Sequence, residues 1–453
     1  MSKKKIFFLI LLFAFICNIH IFSLLFNSHE NQLKFEQNSE FENIQNASSN
    51  YGFISSQDYE LFWFIQISDT QFLWYNNSKI SEFYTFLNVT YKEIAPLFIY
   101  HTGDIVQANF FLGQDKEEWE RYREALNNNN MNASIYMDLL GNHDTIGDPN
   151  TKFFLNYSMM GQSFDTTQYS FNKSFTFGNY AFIGLNTAKK SYDLLEYSFE
   201  GFLSSSELDW YENELEKVKS FDKIFVFGHH PPKFPLFYNI KSEKSSSGKD
   251  FTELNEDYNV SYYISGHVHA NSFQYLNKLL TITTTNFDQM GGTYRIIALD
   301  NNRLSTSIEN VGKWPQGIIT YPPSDPNHKV GMVRILAWDP KGISSVQWSL
   351  HDIESEFQIT NWKPLIQVEP NEPLWETVLS PNLNGKFKLK VKVEGGSGEV
   401  IKEIILNFER DRRVKLFILF IFIIALVSIS IVTFNYLRLN IDSLRKRKKD
   451  IQI

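Results

Sequence analysis

The chain has 453 residues, 43% of them hydrophobic and 16% aromatic. That is enough apolar material for two folded units rather than one ordinary domain. The formal net charge of −8 argues against a nucleic-acid backbone as partner, since phosphate binding needs a basic face. The single cysteine, Cys17, cannot form an intrachain disulfide, so cysteine usage does not report the redox compartment.

The first 26 residues have the pattern of a targeting segment. Lys3, Lys4 and Lys5 precede an apolar block at residues 6–16 and a second apolar patch that ends at Phe26. A cleaved signal peptide and a longer signal anchor both fit, because a small-residue cleavage signature is missing. Residues 27–58 are rich in Asn, Gln, Ser and Glu without apolar periodicity, which predicts a flexible lead-in.

Residues 59–311 alternate strand-like and helical patterns. The predicted helices are 82–94, 116–127 and 207–221, and Ser204 with Glu207 forms a capping box before the last one. This alternation predicts an α/β layered domain with functional loops at the carboxyl ends of its strands. The predicted strands are 61–67, 97–100, 135–140, 180–185, 223–227, 262–264 and 279–284.

Residues 312–409 predict a different, smaller domain. Short strand-like runs such as "MVRILAW", "SVQWSL", "KFKLKVKV" and "EIILNF" are separated by Pro, Gly and Asn clusters. Apolar residues alternate with lysines at period two in the third of these runs. The pattern favours a small antiparallel β-sandwich of the Ig-like kind over a helical stalk.

The C-terminal region predicts a transmembrane helix at residues 414–437, followed by a basic tail at 438–453. Residues 416–434 contain no charge and are long enough to cross a hydrocarbon core of about 30 Å. A buried core helix would normally interleave polar positions. Cations in the tail favour a cytosolic C-terminus and a lumenal or extracellular catalytic domain, although basic residues before the span dilute that signal.

Seven potential N-glycosylation sequons agree with a lumenal location. The support is weak, because a chain this rich in Asn, Ser and Thr contains such triplets by chance. They begin at Asn46, Asn76, Asn88, Asn132, Asn156, Asn172 and Asn259.

Five short motifs directly follow predicted strands, so an α/β sheet would bring them to one rim. Each motif alone is usually structural, but together they supply oxygen and imidazole ligands for divalent metals. They are "SDTQ" with Asp69 and Gln71, "TGD" with Asp104, "GNHD" with Asn142, His143 and Asp144, "GHH" with His229 and His230, and "SGHVH" with His267 and His269.

Such a ligand set suits hydrolysis of a phosphate ester. Attack of water on phosphorus requires a deprotonated nucleophile and neutralised phosphoryl oxygens, and two metals about 3.5 to 4 Å apart supply both. One carboxylate must bridge two such ions, and Asp104 is the natural choice.

The ordered motifs resemble those of the calcineurin-like metallophosphoesterase superfamily, and within it the transmembrane protein 62-like metallophosphoesterases. The narrower resemblance depends on a secretory start, "GKWPQGIIT" at residues 312–320, a following β-sandwich and a membrane segment. It implies that residues 59–311 form a β-sandwich flanked by helices. It also implies a metal-dependent phosphoesterase with a phosphate-ester substrate and two divalent ions, Mn, Fe, Zn or Mg.

The resemblance also implies roles for individual residues. His143 would protonate the leaving oxygen, Asp144 would fix the His143 tautomer, and a hydroxide bridging the metals would attack. The first metal would be held by Asp69, Gln71, Asp104 and His269, and the second by Asp104, Asn142, His229 and His267.

One departure from the superfamily pattern keeps a second hypothesis open. Gln71 stands where the superfamily usually has histidine, and an amide oxygen is a weaker donor than imidazole. The first hypothesis is therefore a membrane-anchored phosphoesterase, and the rival is a catalytically weak or inactive phosphoesterase fold that binds a partner. Substrate specificity in such folds lies in loops such as 186–200 and 235–250, and the residue composition of these loops identifies no ligand.

Overall fold

The computed structural model describes residues 52–55, 59–73, 76–109, 112–188, 200–233, 240–288, 291–323, 331–379 and 385–408. The predicted targeting segment, the predicted membrane span and the basic tail lie outside these ranges. Within them, no helix combines the length and the apolar character that crossing a membrane requires.

The first sheet is built around three parallel strands whose carboxyl ends point the same way. The parallel strands are β2 (Glu60–Ile67), β3 (Ile99–His101) and β4 (Tyr136–Asp138). The antiparallel strands β1 (Phe53–Ser55) and β13 (Thr293–Asp300) both pair with β2, and β14 (Arg303–Asn310) pairs with β13.

The second sheet has the order β11-β12-β10-β8-β6-β5 and a parallel centre. Its parallel strands are β6 (Gly178–Gly184), β8 (Lys223–Phe227), β10 (Tyr262–Ser265) and β12 (Leu279–Thr283). Its antiparallel edges are β5 (Tyr169–Phe175) and β11 (Ser272–Leu276). A separate two-stranded pair consists of β7 (Gly201–Leu203) and β9 (Ile240–Ser242).

The two sheets pack face to face through an aromatic core. Phe64 meets Phe182 edge-on with ring centroids 6.0 Å apart, and Tyr100 stacks on Phe227 at 3.7 Å. Helices cover the outer faces, which gives a four-layer arrangement. The α-helices are Asn77–Thr85, Tyr91–Ile94, Lys116–Asn128, Lys152–Tyr157, Met159–Phe164, Ser205–Val218 and Phe251–Asp257, and a π-helical turn at Phe86–Thr90 joins the first two.

The remaining strands form two four-stranded sheets that share one apolar core, so the predicted small antiparallel β-sandwich is present. The immunoglobulin-like assignment stays a prediction. One sheet contains β15 (Gln316–Tyr321), β16 (Met332–Trp338), β19 (Ile366–Gln367) and β20 (Leu374–Val378). The other contains β17 (Ile343–Asp352), β18 (Lys363–Pro364), β21 (Gly385–Gly395) and β22 (Gly398–Phe408).

The sandwich packs against the first sheet through both apolar and ionic contacts. The rings of Trp63 and Trp338 lie 6.0 Å apart across the junction. Arg334, which is buried on β16, donates to Asp300 at 2.7 Å and to Glu376 at 3.2 Å. Since Asp300 ends β13 and Glu376 lies on β20, Arg334 ties both sandwich strands to the first sheet.

The structure confirms the predicted alternation and corrects its edges. All seven predicted strands of the layered domain are present, as is the Ser204–Glu207 capping box. The predicted helix at 82–94 begins earlier, at Asn77, because Asn76 caps it by accepting from the backbone N–H of Ser78. Residues 27–58 are predicted to be a flexible lead-in, and this is wrong for residues 53–55, which form a strand paired with β2. The sequence did not show this strand because three residues are too few to establish a periodicity.

Replacing Arg334 with methionine should lower the free energy of unfolding by about 3 kcal/mol, because it leaves the Asp300 carboxylate buried without its cation. Urea unfolding of the full-length protein measures this. Lys116→Met, which removes an exposed pair with Glu120, should have no measurable effect. Equal unfolding midpoints for the two variants would contradict the ionic role of Arg334.

Candidate metal centre

The predicted ligands lie on loops that directly follow the carboxyl ends of β2, β3, β8 and β10, and on the turn after β4. Five of these residues adopt left-handed backbone conformations, which non-glycine residues rarely do and which cost free energy. The chain therefore bends sharply at each strand end, and the bend is concentrated at this rim. The residues are Asp69 (φ 54°), Gln71 (φ 43°), Asp104 (φ 52°), His267 (φ 69°) and His269 (φ 49°).

Asp69 is fully buried and links the loop after β2 to the loop after β10. Its Oδ1 lies 3.2 Å from His269 Nε2, and its Oδ2 accepts from the His267 backbone N–H at 3.0 Å and from the Ser68 hydroxyl. Gly266 makes this approach possible, because a Cβ there would lie 2.4 Å from Asp69 Oδ2. The first predicted metal position is thus assembled from two sheets.

Asp104 occupies the middle of the rim. Its Oδ2 lies 3.3 Å from His229 Nε2 and 3.8 Å from His143 Nε2, while its Oδ1 accepts from the His143 backbone N–H at 2.8 Å. His229 Nε2 also lies 2.9 Å from Asn142 Oδ1 and 3.1 Å from His267 Nδ1. All members of the second predicted set therefore converge.

Carbonyl oxygens behind the rim fix two of the imidazoles. His229 donates from Nδ1 to the Thr102 carbonyl at 2.8 Å, which leaves Nε2 facing Asp104 and Asn142. His143 donates from Nδ1 to the Gln107 carbonyl at 2.7 Å. A hydrogen bond at one ring nitrogen is the usual means of aiming the other at a metal or substrate.

The charges at this rim favour a bound cation. Burial opposes ionisation of Asp104, yet His229 and His143 hold the pKa of that carboxyl below its usual value. Burial alone would lower the pKa of His229, but the Asp104 and Asp69 carboxylates raise it to about 9. Positive charge between the two carboxylates is therefore strongly stabilised.

The donor set fits divalent metal ions. The ligand atoms of Asp69, Asp104 and His229 lie within 4.8 Å of one another, as do those of His229, His230 and His267. Carboxylate oxygen, amide oxygen and imidazole nitrogen are suitable donors for Mn²⁺, Zn²⁺ and related ions.

Gln71 is at the rim, although no structural contact establishes it as a ligand. Gln71 is 7% exposed, and among the described residues its carboxamide has no hydrogen-bond partner. Its backbone is held from both sides, because its N–H donates to the Asp104 carbonyl at 3.0 Å and its carbonyl accepts from Lys79 at 3.2 Å. Within the part of the chain that the structure describes, no hydrogen bond holds the buried Gln71 side chain away from a metal.

The predicted contact between Asp144 and His143 is wrong. The buried Asp144 carboxylate instead accepts from the backbone N–H groups of Ile105, Val106 and Gly141. The Gln107 carbonyl takes the tautomer-fixing position. Burial and then the Asp104 charge raise the pKa of Asp144 to about 8, and its three backbone contacts tie the Asp104 loop to the Asn142 loop.

Two further histidines lie close to the rim. His230 is fully buried, with its Nδ1 3.0 Å from the Thr187 hydroxyl and its ring 4.4 Å from the His267 ring. His101 has its Nδ1 3.0 Å from the Tyr136 hydroxyl, and burial lowers its pKa to about 3, as expected for a structural histidine. Sequence reasoning missed the supporting carbonyls of Thr102 and Gln107, because every residue has a carbonyl and no side-chain signal marks them.

Comparison with known proteins identifies relatives of the layered domain. Residues 62–271 match the family model for calcineurin-like phosphoesterases. Transmembrane protein 62 of Mus musculus is 25% identical over 289 residues, which cover 59% of this chain and 42% of that protein. An Arabidopsis thaliana protein, whose name gives it only as a candidate metallophosphoesterase, is 27% identical over 237 residues, covering 47% of this chain and 30% of that protein.

The chain spans less than half of the length of each of these curated relatives. Among solved structures, GAP50, the anchor in the inner membrane complex of Plasmodium, overlaps with a TM-score of 0.37 and 17% identity. That overlap covers 56% of this chain and 85% of GAP50, and it is too loose to support a functional comparison.

Gln71→His should tighten binding at the first metal position on the order of tenfold, or about 1.4 kcal/mol, because imidazole is a stronger donor than an amide oxygen. Calorimetric titration of the metal-stripped protein with Mn²⁺ measures the change. Unchanged affinity at both positions would count against Gln71 as a ligand.

Gly141→Ala should disrupt the rim, since the added Cβ would lie 2.1 Å from Asp104 Oδ1. Displacement of the central carboxylate should weaken metal binding by about 10- to 100-fold. Gly331→Ala is the control, because nothing lies within 4 Å of its added Cβ. Equal metal content by elemental analysis in the two variants would refute the placement of Asp104.

Proposed function

We propose that this chain, whose residues 62–271 belong to the calcineurin-like phosphoesterase family, is a membrane-anchored, metal-dependent phosphoesterase. The substrate class is a phosphomonoester or phosphodiester. The observation that carries the proposal is the cluster of Asp69, Asp104 and His229, whose ligand atoms lie within 4.8 Å of one another with His143 beside them.

Two divalent ions suit the donor set. Asp69, Gln71, Asp104 and His269 would hold the first, and Asp104, Asn142, His229 and His267 the second. Such ions lower the pKa of a bound water and neutralise charge on phosphoryl oxygens. The buried carboxylates and the carbonyl-oriented imidazoles of this chain would hold the ions without rearrangement of the backbone.

His143 is the proposed proton donor to the leaving oxygen. Its Nδ1–H is held by the Gln107 carbonyl, and its Nε2 faces Asp104 at 3.8 Å. Because Nδ1–H is held by that carbonyl, Nε2 is the ring nitrogen placed to carry the proton that moves to the departing oxygen. In this proposal Asp144 supports the reaction only through the backbone of the Asp104 and Asn142 loops.

The membrane anchor is proposed from the sequence and from the name of one relative. The uncharged run at 416–434 lies a few residues beyond β22, whose last residue is Phe408. The mouse relative is named as a transmembrane protein. In chain order, the proposed span at 414–437 follows the sandwich, proposed as residues 312–409, which in turn follows the proposed catalytic domain at 59–311.

The rival function is a phosphoesterase fold that retains metal without turnover and binds a partner. Gln71 favours it, because a weak donor at the first position reduces the occupancy of that ion. His143 favours the enzyme. Its ring is oriented by Gln107 and is not required by the proposed ligand sets, so metal retention alone gives no reason for that geometry.

His143→Ala should lower kcat on an aryl phosphate or a bis-aryl phosphodiester by about 10²- to 10⁴-fold while metal content stays unchanged. Free imidazole should restore part of the lost rate. His351→Ala, which changes a histidine on β17 in the sandwich, serves as the control and should retain full activity. Stoichiometric metal with no turnover of either substrate by the unmodified protein would establish the rival.

A further inference from the structure

A buried arginine lies behind the metal centre and is not explained by the proposed reaction. Arg295 is on β13 and is 3% exposed. Its guanidinium donates to four oxygens: Thr284 Oγ1 at 2.7 Å, Thr306 Oγ1 at 2.8 Å, Thr283 O at 3.0 Å and Asn271 Oδ1 at 3.1 Å.

All four acceptors of Arg295 are uncharged. Among the described residues Arg295 takes part in no ion pair, and burial by itself lowers its pKa to about 9. Burying an arginine without a carboxylate is costly, and it is tolerated only where every donor has a partner. A neutral side chain would fill a strand interior at lower cost, so the value of Arg295 must come from the groups that it holds.

One branch of these contacts leads to the loop that carries His269. Asn271, two residues after His269, accepts from Arg295 and also from the Thr285 backbone N–H at 3.1 Å. The Thr285 hydroxyl donates to the His269 carbonyl at 2.9 Å. Arg295 thus joins the loop after β10 to the loop after β12 and fixes the backbone of His269.

The other branch leads to His229. Thr284 accepts from Arg295 and donates to Gln66 Oε1 at 2.5 Å. Gln66 Nε2 in turn donates to Thr102 Oγ1 at 3.0 Å and to the Ser265 carbonyl at 2.9 Å. The Thr102 carbonyl is the acceptor that orients His229, so this chain of bonds ends at a proposed ligand.

We propose that Arg295 is a positioning residue for the metal centre. Through Asn271 and Thr285 it sets His269 for the first ion, and through Thr284, Gln66 and Thr102 it sets His229 for the second. This inference rests on the proposed metal centre, and it adds a residue from β13, a strand that contributes no ligand.

The test compares two buried arginines in the full-length, metal-stripped protein. Arg295→Met should weaken Mn²⁺ binding about 10- to 100-fold by calorimetric titration, the usual effect of losing a group that orients ligands. Arg295→Lys should restore part of the affinity, because an ammonium reaches some of the same oxygens. Arg334→Met, at the sandwich junction, should lower thermal stability without changing Mn²⁺ affinity.

Single-branch variants keep the proposal testable if Arg295→Met does not fold. Thr284→Val preserves shape and breaks the branch to His229, so it should weaken mainly the second ion. Asn271→Ala breaks the branch to His269 and should weaken mainly the first. Mn²⁺ electron paramagnetic resonance measures the loss of one ion, because it distinguishes a coupled pair from a single ion.

Two results would overturn the inference, and they can be told apart. If the Arg295 and Thr284 variants lose thermal stability but keep the unmodified Mn²⁺ affinity, Arg295 is structural and the proposed metal centre stands. If His269→Ala also leaves Mn²⁺ affinity unchanged, the proposed metal centre itself fails, and the role of Arg295 fails with it.

Discussion

The structure depends on one constraint, the convergence of buried carboxylates and imidazoles at the carboxyl edge of two facing sheets. Asp104 is the central group, because it meets His229 and His143 and because Gly141 leaves room for it. Two buried acids this close to the apolar core would be unstable without positive charge nearby. The same burial that makes the ionised acids costly favours a cation at the rim.

Support for this rim comes from backbone geometry more than from side chains. Left-handed residues bend the chain at the strand ends, and carbonyls of the loop after β3 orient the rings of His229 and His143. The cost of these conformations is met by the packed aromatic layer between the sheets. Rigid sheets with strained loop ends are a common basis for preorganised sites, since the loops cannot relax without disturbing the core.

The sandwich is part of the same folded body and not a loosely tethered module. Its strand β16 contributes Trp338 to the apolar contact with Trp63, and Arg334 adds a buried ionic contact to Asp300. These contacts fix the orientation of the sandwich relative to the first sheet and its rim.

The sequence by itself determined the layered architecture, the sandwich and the members of the rim. Strand-like runs that are followed by Asp, Asn and His predict that these side chains converge, because parallel strands share one carboxyl edge. The predicted bounds of β8 agree with the observed ones. Only the tertiary structure decided which groups hold the imidazoles, how β1 and β13 complete the first sheet, and what Arg295 contacts. The sequence also did not predict that His143 would contact the Gln107 carbonyl instead of Asp144. Periodicity and residue type report local conformation and donor chemistry, whereas hydrogen bonds between residues far apart in the chain depend on loop paths that no local pattern encodes.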